Sequence, residues 1–163
     1  MNKYITNMPV VLCKTVCLFL FGGLTGQVNL SAQGAILTNS NFQTAVDLWF
    51  SDQASAISTY GHIKDWNVSG VTSMASAFKD RSDFNENITG WNVSNVRNMA
   101  HMFNGASSFD QPIGDWNVSQ VLSINTMFKG ANAFNQPIGD WDVSAVTAMT
   151  GLFRDASSFN QPI

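Results

Sequence analysis

Trp66, Trp91, Trp116 and Trp141 stand 25 residues apart, each inside a short polar run: DWNVS at 65–69, GWNVS at 90–94, DWNVS at 115–119 and DWDVS at 140–144. An indole beside carboxylates and amides suits carbohydrate binding, because the ring stacks on an apolar sugar face while the oxygens take up its hydroxyls. The candidate ligand-facing column is therefore Trp66, Trp91, Trp116 and Trp141 with Asp115 and Asp140. The same residues have a second reading, since an indole is also large enough to pack on the indole of the next repeat. Asp65, Gly90, Asp115 and Asp140 share one position of the repeat, and Asn67, Asn92, Asn117 and Asp142 another. Oxygens in rows can hold Ca²⁺. However, Gly90 interrupts the row, and no repeat has several acids at loop-ligand spacing. These rows read better as solvated corners in which Asn bonds the turn backbone.

The serines at 69, 94, 119 and 144 do not make a nucleophile. A triad needs a base in register, and His62 and His101 fall at unrelated positions, where they read as surface residues. A turn or cap role suits a Ser that follows every Trp by three residues. No carboxylate pair breaks the symmetry as a glycosidase requires. Catalytic and cofactor-binding residues are therefore expected to be absent. Asn67, Asn87, Asn92 and Asn117 begin N-x-S/T sequons, which recur because the repeat recurs.

These residues must be positioned by whatever the repeat builds. Apolar columns run through it without a gap from Ile63 to Ile163. Val68, Val93, Val118 and Val143 form one. Phe78, Phe103, Phe128 and Phe153 form another, and Phe84, Phe109, Phe134 and Phe159 a third. A 25-residue unit cannot bury its own apolar side and must stack on copies of itself. The periodicity predicts an α/β repeat solenoid of four coils over 63–163. Val96, Met99, Met102 and Phe103 lie at helical spacing, which predicts a short helical turn ending at Gly105. A short parallel strand is expected near Ile113 to Val118, after the prolines at 112, 137 and 162 that cannot donate to a ladder. A second is possible at the Val-x-x-Met segment.

Residues 33–62 follow another rule. Phe42, Ala45, Val46, Trp49 and Phe50 are spaced as on a helix, with Asn41 as its N-cap. Ser51 or Asp52 starts a second short helix that ends near Gly61. This pair is expected to cap the first coil. The last coil has no such cover, which predicts an incomplete or uncapped C-terminus and end-to-end self-association.

Residues 1–32 read as a signal peptide. Lys3 and Lys14 precede a short apolar run, Val16 to Leu24, and cleavage is expected near Ala32. The run is too short to span a bilayer. Cys13 and Cys17 lie inside this segment, so the mature chain has no thiol chemistry. Removing it leaves six basic against eleven acidic residues, a net charge of −5, which argues against nucleic acid as a partner.

The unit F-N-Q-P-I-G-D-W-D-V-S-x-V-x-x-M-x-x-x-F resembles the repeat of BspA-type leucine-rich-repeat surface proteins, a group that includes a domain of unknown function in mycoplasma surface lipoproteins. The stretch NFQTAVDLWFSDQASAISTYGHIKDWNVS is similar to the lead-in of secreted members. Leu122, Ile124 and the Glu86-Asn87 pair depart from the pattern. The resemblance implies a leucine-rich-repeat-like fold, a secreted or cell-surface location, and adhesion or binding of extracellular proteins. It brings no catalytic residue and no cofactor. A carbohydrate-binding module that uses the Trp column on surface glycans is the alternative.

Overall fold

The computed structural model describes residues 36–163. The expected signal peptide, its cleavage point and both cysteines lie outside the described residues. Helix α1, Phe42–Ser51, buries Phe42, Ala45, Val46 and Trp49 on one side. Asn41 is its N-cap residue, with its carbonyl accepting from the Ala45 N–H at 2.9 Å, but its side chain makes no cap bond to the helix. Its side-chain oxygen instead accepts from the Thr38 N–H at 2.7 Å, closing the turn before the helix. Helix α2, Gln53–Tyr60, starts at Asp52, whose carboxylate accepts from the Ser55 N–H at 3.1 Å and from the Ser55 hydroxyl. It ends at Gly61, where φ is +81°, a left-handed conformation that glycine adopts without a Cβ clash. A single 3-10 turn, Ile63–Asp65, leads into the first repeat.

The Ser55 hydrogen bonds hold the Asp52 carboxyl below its usual range. A depressed folded-state value means that the charge stabilises the fold at neutral pH and that this share is lost on acidification. We expect the melting temperature of the wild type to fall as pH drops below about 4. Asp52→Asn keeps an acceptor but not the charge favoured at a helix N-terminus. It should melt lower than wild type at pH 7, with a gap that closes in acid. Thermal melts of both chains across that range test this.

The remaining residues are not the α/β solenoid of short parallel strands and helical turns that the periodicity predicts. Among the described residues no strand forms. Parallel pairing is limited to isolated bridges at Thr38–Gly70, Ser73–Asn98, Asn98–Ser123 and Ser123–Ala148. After α2 the chain is coil and turns, so the leucine-rich-repeat-like architecture is corrected as well.

The backbone explains why neither element forms. In the first repeat the N–H groups of Met74, Ser76, Phe78 and Asp80 donate to Asn98, Ala100, Met102 and Asn104 of the next. The residues between them behave differently. Ala77, Lys79 and Arg81 donate back three residues, to Met74, Ser76 and Phe78. A helix needs every N–H directed inward, and a strand needs the backbone extended with no local bonds. Here the two uses alternate. Ser76, His101, Thr126 and Gly151 also adopt φ between 47° and 63°, in the middle of the expected helical turn. A left-handed residue stops helix propagation. The expected strand near Ile113 to Val118 is a turn too, because the Trp116 N–H bonds the Ile113 carbonyl at 3.1 Å.

The result is four coil turns stacked in register, with an aromatic core. Within one turn Phe103 lies on Phe109 at 3.8 Å between centroids, and Phe128 on Phe134 at 4.1 Å. Between turns Phe78, Phe103 and Phe128 follow each other at 5.7 Å. The two helices close one end of this core. Trp49 meets Trp66 edge-on at 6.0 Å, and Phe50 meets Phe84 at 5.8 Å. Arg81 ties α1 down from outside, with its guanidinium 4.4 Å from the Phe50 ring centre and 3.1 Å from an Asp47 oxygen.

Candidate functional site

The candidate column divides into an inner and an outer part. The four indoles are inside. Trp66, Trp91, Trp116 and Trp141 are 3%, 3%, 4% and 7% exposed. Trp66 and Trp91 lie parallel at 6.1 Å, and Trp116 and Trp141 lie tilted over Phe103 and Phe128. Their N–H groups are directed inward too. Trp91 donates to Ile63 O at 2.8 Å and Trp141 to Ile113 O at 3.2 Å, across the boundary between turns, while Trp66 donates to Gly61 O. The Trp116 N–H has no partner among the described residues. The column is thus corrected from a ligand-facing platform to a packing column. A sugar needs an open indole face, and the four indoles here are almost wholly buried. The signal was present in the sequence, since each Trp keeps step with Val two residues later and Phe twelve residues later.

This burial has an optical consequence. The intrinsic fluorescence should peak at the short-wavelength end of the tryptophan range and resist quenching by iodide. Titration with neutral oligosaccharides should leave it unchanged. Quenching as strong as that of the unfolded chain would contradict the packed column.

The outer part is polar and exposed. Asp115 and Asp140 line one cleft of about 240 Å³ with Pro112, Gly114 and Pro137. Asp65, in the same column, pairs with its neighbour Lys64 at 2.7 Å. Among the described residues no group of three or more His, Cys, Asp or Glu side chains could hold a metal ion.

The Asn and Ser columns are partners. The Asn67, Asn92 and Asn117 side-chain oxygens each accept from the N–H two residues on, at 3.1–3.2 Å, and from that Ser hydroxyl at 2.7 Å. Asn87 does the same with Thr89. Asp142 replaces the Asn in the last turn, and the Ser144 hydrogen bonds lower its carboxyl from the usual range. Each Ser hydroxyl on Asn67, Asn92 or Asn117 thus serves as a donor that closes a turn. His62 and His101 are half-buried and not free surface residues. His62 packs edge-on against Trp49 at 5.0 Å, and the His101 Nδ1 hydrogen-bonds the Thr126 hydroxyl.

One polar row escaped the sequence reading. The Asn85 side-chain oxygen accepts from the Asp110 N–H, Asp110 from the Asn135 N–H, and Asn135 from the Asn160 N–H, each at 2.9 Å. Gln111, Gln136 and Gln161 add side-chain bonds to the same row. Its signal was the Asn or Asp that follows each Phe at 84, 109, 134 and 159.

Residues 39–163 match the model of a family described as "Mycoplasma protein of unknown function, DUF285". No curated protein and no solved structure matches the chain.

Proposed function

The chain belongs to the DUF285 family of mycoplasma proteins of unknown function, and we propose that it is a non-catalytic interaction scaffold that binds extracellular proteins at the cell surface or after secretion. One observation carries this reading. In the first three turns the apolar columns are buried in packing, and exposed columns repeat at the same place in every turn, as Thr72, Arg97, Leu122 and Thr147 do. A regular flank of that kind suits contact with another macromolecule along its length. The finer likeness to BspA-type surface proteins, and the signal-like segment 1–32, support a surface or secreted location. Among the described residues no helix is long and apolar enough to cross a membrane.

The test is capture of extracellular matrix proteins and of surface glycans on the immobilised chain. The reading expects saturable retention of a protein, reduced by Arg97→Glu together with Leu122→Lys on the exposed flank. Retention of glycans alone, or of nothing, would remove it.

A further inference from the structure

Three of the N-x-S/T sequons, at Asn67, Asn92 and Asn117, share one position of the repeat. The fourth, Asn87-Ile88-Thr89, stands where the repeat departs from itself. One turn on, its Asn is Pro112 and its Thr is Gly114, and a further turn on they are Pro137 and Gly139. Gly90 likewise stands where Asp115 and Asp140 follow. Packing does not require a side chain at position 89. A Cβ at Gly114 would come within 2.5 Å of Pro137 O, and one at Gly139 within 2.9 Å of Pro162 O. By register Thr89 stands opposite Pro112 in the same way. Nor does the turn need its hydroxyl. The Trp91 N–H bonds Ile88 O at 3.1 Å, and the Trp116 N–H bonds Ile113 O at 3.1 Å where glycine replaces the threonine.

These departures build an exposed amide with one end held. The Asn87 Oδ1 accepts from the Thr89 N–H at 3.1 Å and from the Thr89 hydroxyl at 2.7 Å. A backbone N–H must face the oxygen of a side-chain amide, so Nδ2 is the branch turned away. Among the described residues it donates no hydrogen bond. A hydroxyl donor on Oδ1 favours charge on that oxygen, which makes an Nδ2 proton easier to lose. Beside the sequon a Cβ at Gly90 would meet nothing within 4 Å, so a bulky reactant has room to approach.

We propose that Asn87 is a site of N-linked sugar attachment. The co-reactant is a sugar activated at its anomeric carbon by a phosphate or pyrophosphate leaving group and delivered by a separate transferase. A bond forms between Nδ2 and the anomeric carbon. The bond from that carbon to the phosphate oxygen breaks, and its electron pair leaves with the phosphate. One Nδ2 proton passes to a base of the transferase. Thr89 is a positioning residue that holds the amide through Oδ1. Asn67, Asn92 and Asn117 make the same local bonds in a poorer setting. They share one column, and turns joined by backbone hydrogen bonds lie about 4.8 Å apart, so a sugar on one shields the next. Asn87 has His62 and Pro112 as its column neighbours, neither of which is an acceptor. A sugar on Asn87 is detected whatever the exposed flank binds, so the two readings fail independently.

The test is peptide mapping of the folded 163-residue chain. One arm supplies a soluble asparagine glycosyltransferase with a nucleotide sugar. The other supplies a membrane oligosaccharyltransferase with a polyprenyl-pyrophosphate sugar, and a reference acceptor peptide reports transfer in both. Trypsin then releases the fragment Ser82–Arg97, which carries Asn87 and Asn92. Tandem mass spectrometry should place the sugar on Asn87 in at least one arm, and that arm identifies the donor. Thr89→Val keeps the branched shape without the hydroxyl and should abolish the modification. Thr89→Ser should restore it, and Asn87→Gln should leave the fragment bare. Thermal melts check that each variant is folded. Three results would overturn the proposal: no sugar on Asn87 in either arm while the reference peptide is modified, sugar confined to Asn67, Asn92 or Asn117, or equal occupancy of Asn87 in the Thr89→Val chain.

Discussion

Phe103→Ala should cost about 3–5 kcal/mol of stability, the usual toll for removing a fully buried phenyl ring. Phe103 is 0% exposed. Its ring lies 3.8 Å from Phe109 within its turn, 5.7 Å from Phe78 and from Phe128 in the turns on either side, and 6.4 Å from Trp116. Removing it opens a void that these rings do not fill readily, because the backbone N–H groups of Phe78, Phe103 and Phe128 are each bonded to the next turn. Domains are stable by only about 5–15 kcal/mol in all, so one substitution removes a large share. Phe159→Ala gives the contrast. Phe159 is half-buried, and among the aromatic rings of the described residues it pairs with Phe134 and Phe153. Its loss should cost well under half as much. Urea denaturation of the two variants beside wild type measures both. Equal costs would mean that the stack melts turn by turn from that end rather than as a unit.

Gly114→Ala should be the most damaging small change, and Gly90→Ala should be harmless or helpful. A Cβ built at Gly114 comes within 2.5 Å of the Pro137 carbonyl oxygen in the next turn. That oxygen is backbone and sits beside Ile138, which is core, so the two turns must separate locally. Overpacking of this kind costs about 1–3 kcal/mol. At Gly139 the corresponding approach to Pro162 O is 2.9 Å, and the penalty should be smaller. At Gly90 nothing lies within 4 Å. There a Cβ only narrows the unfolded ensemble, worth about 0.4–1 kcal/mol in favour of folding. Melting temperatures should therefore order as Gly90→Ala, wild type, Gly139→Ala, Gly114→Ala. The same logic explains a variable column. Gly105 and Gly130 have positive φ, and Asp80 and Asp155 occupy that position in the outer turns with φ of 59° and 61°. Asp tolerates the left-handed region better than most residues.

The two parts of the candidate column show how a repeat misleads and how it informs. Trp beside Asp, Asn and Ser looks like a site when one copy is read. With four copies, the residue types separate by depth: Trp in the packed interior, Asp115 and Asp140 on a solvent cleft, Asn and Ser bonded to each other across a turn. Depth is a property of the stack, so no single copy contains it.

By itself the sequence determined the repeat. The 25-residue step, the apolar columns and the register are all visible in the spacing of Trp66, Phe78, Phe84 and their successors, because identical turns stacked in line must place identical side chains together. The spacing of Phe42, Ala45, Val46 and Trp49 and the pairing of Asp52 with Gly61 likewise mark α1 and α2, since those signals are local. The tertiary structure alone decided what the backbone of each turn does. Val96, Met99, Met102 and Phe103 match a helix in spacing, yet His101 between them is left-handed and alternate N–H groups bond the next turn. Those bonds join residues 24 apart, in a conformation held by the neighbouring turn rather than by local propensity. The orientation of the indoles was settled in the same way: only when a turn lies on each side of Trp91 and Trp116 do their faces lose contact with water.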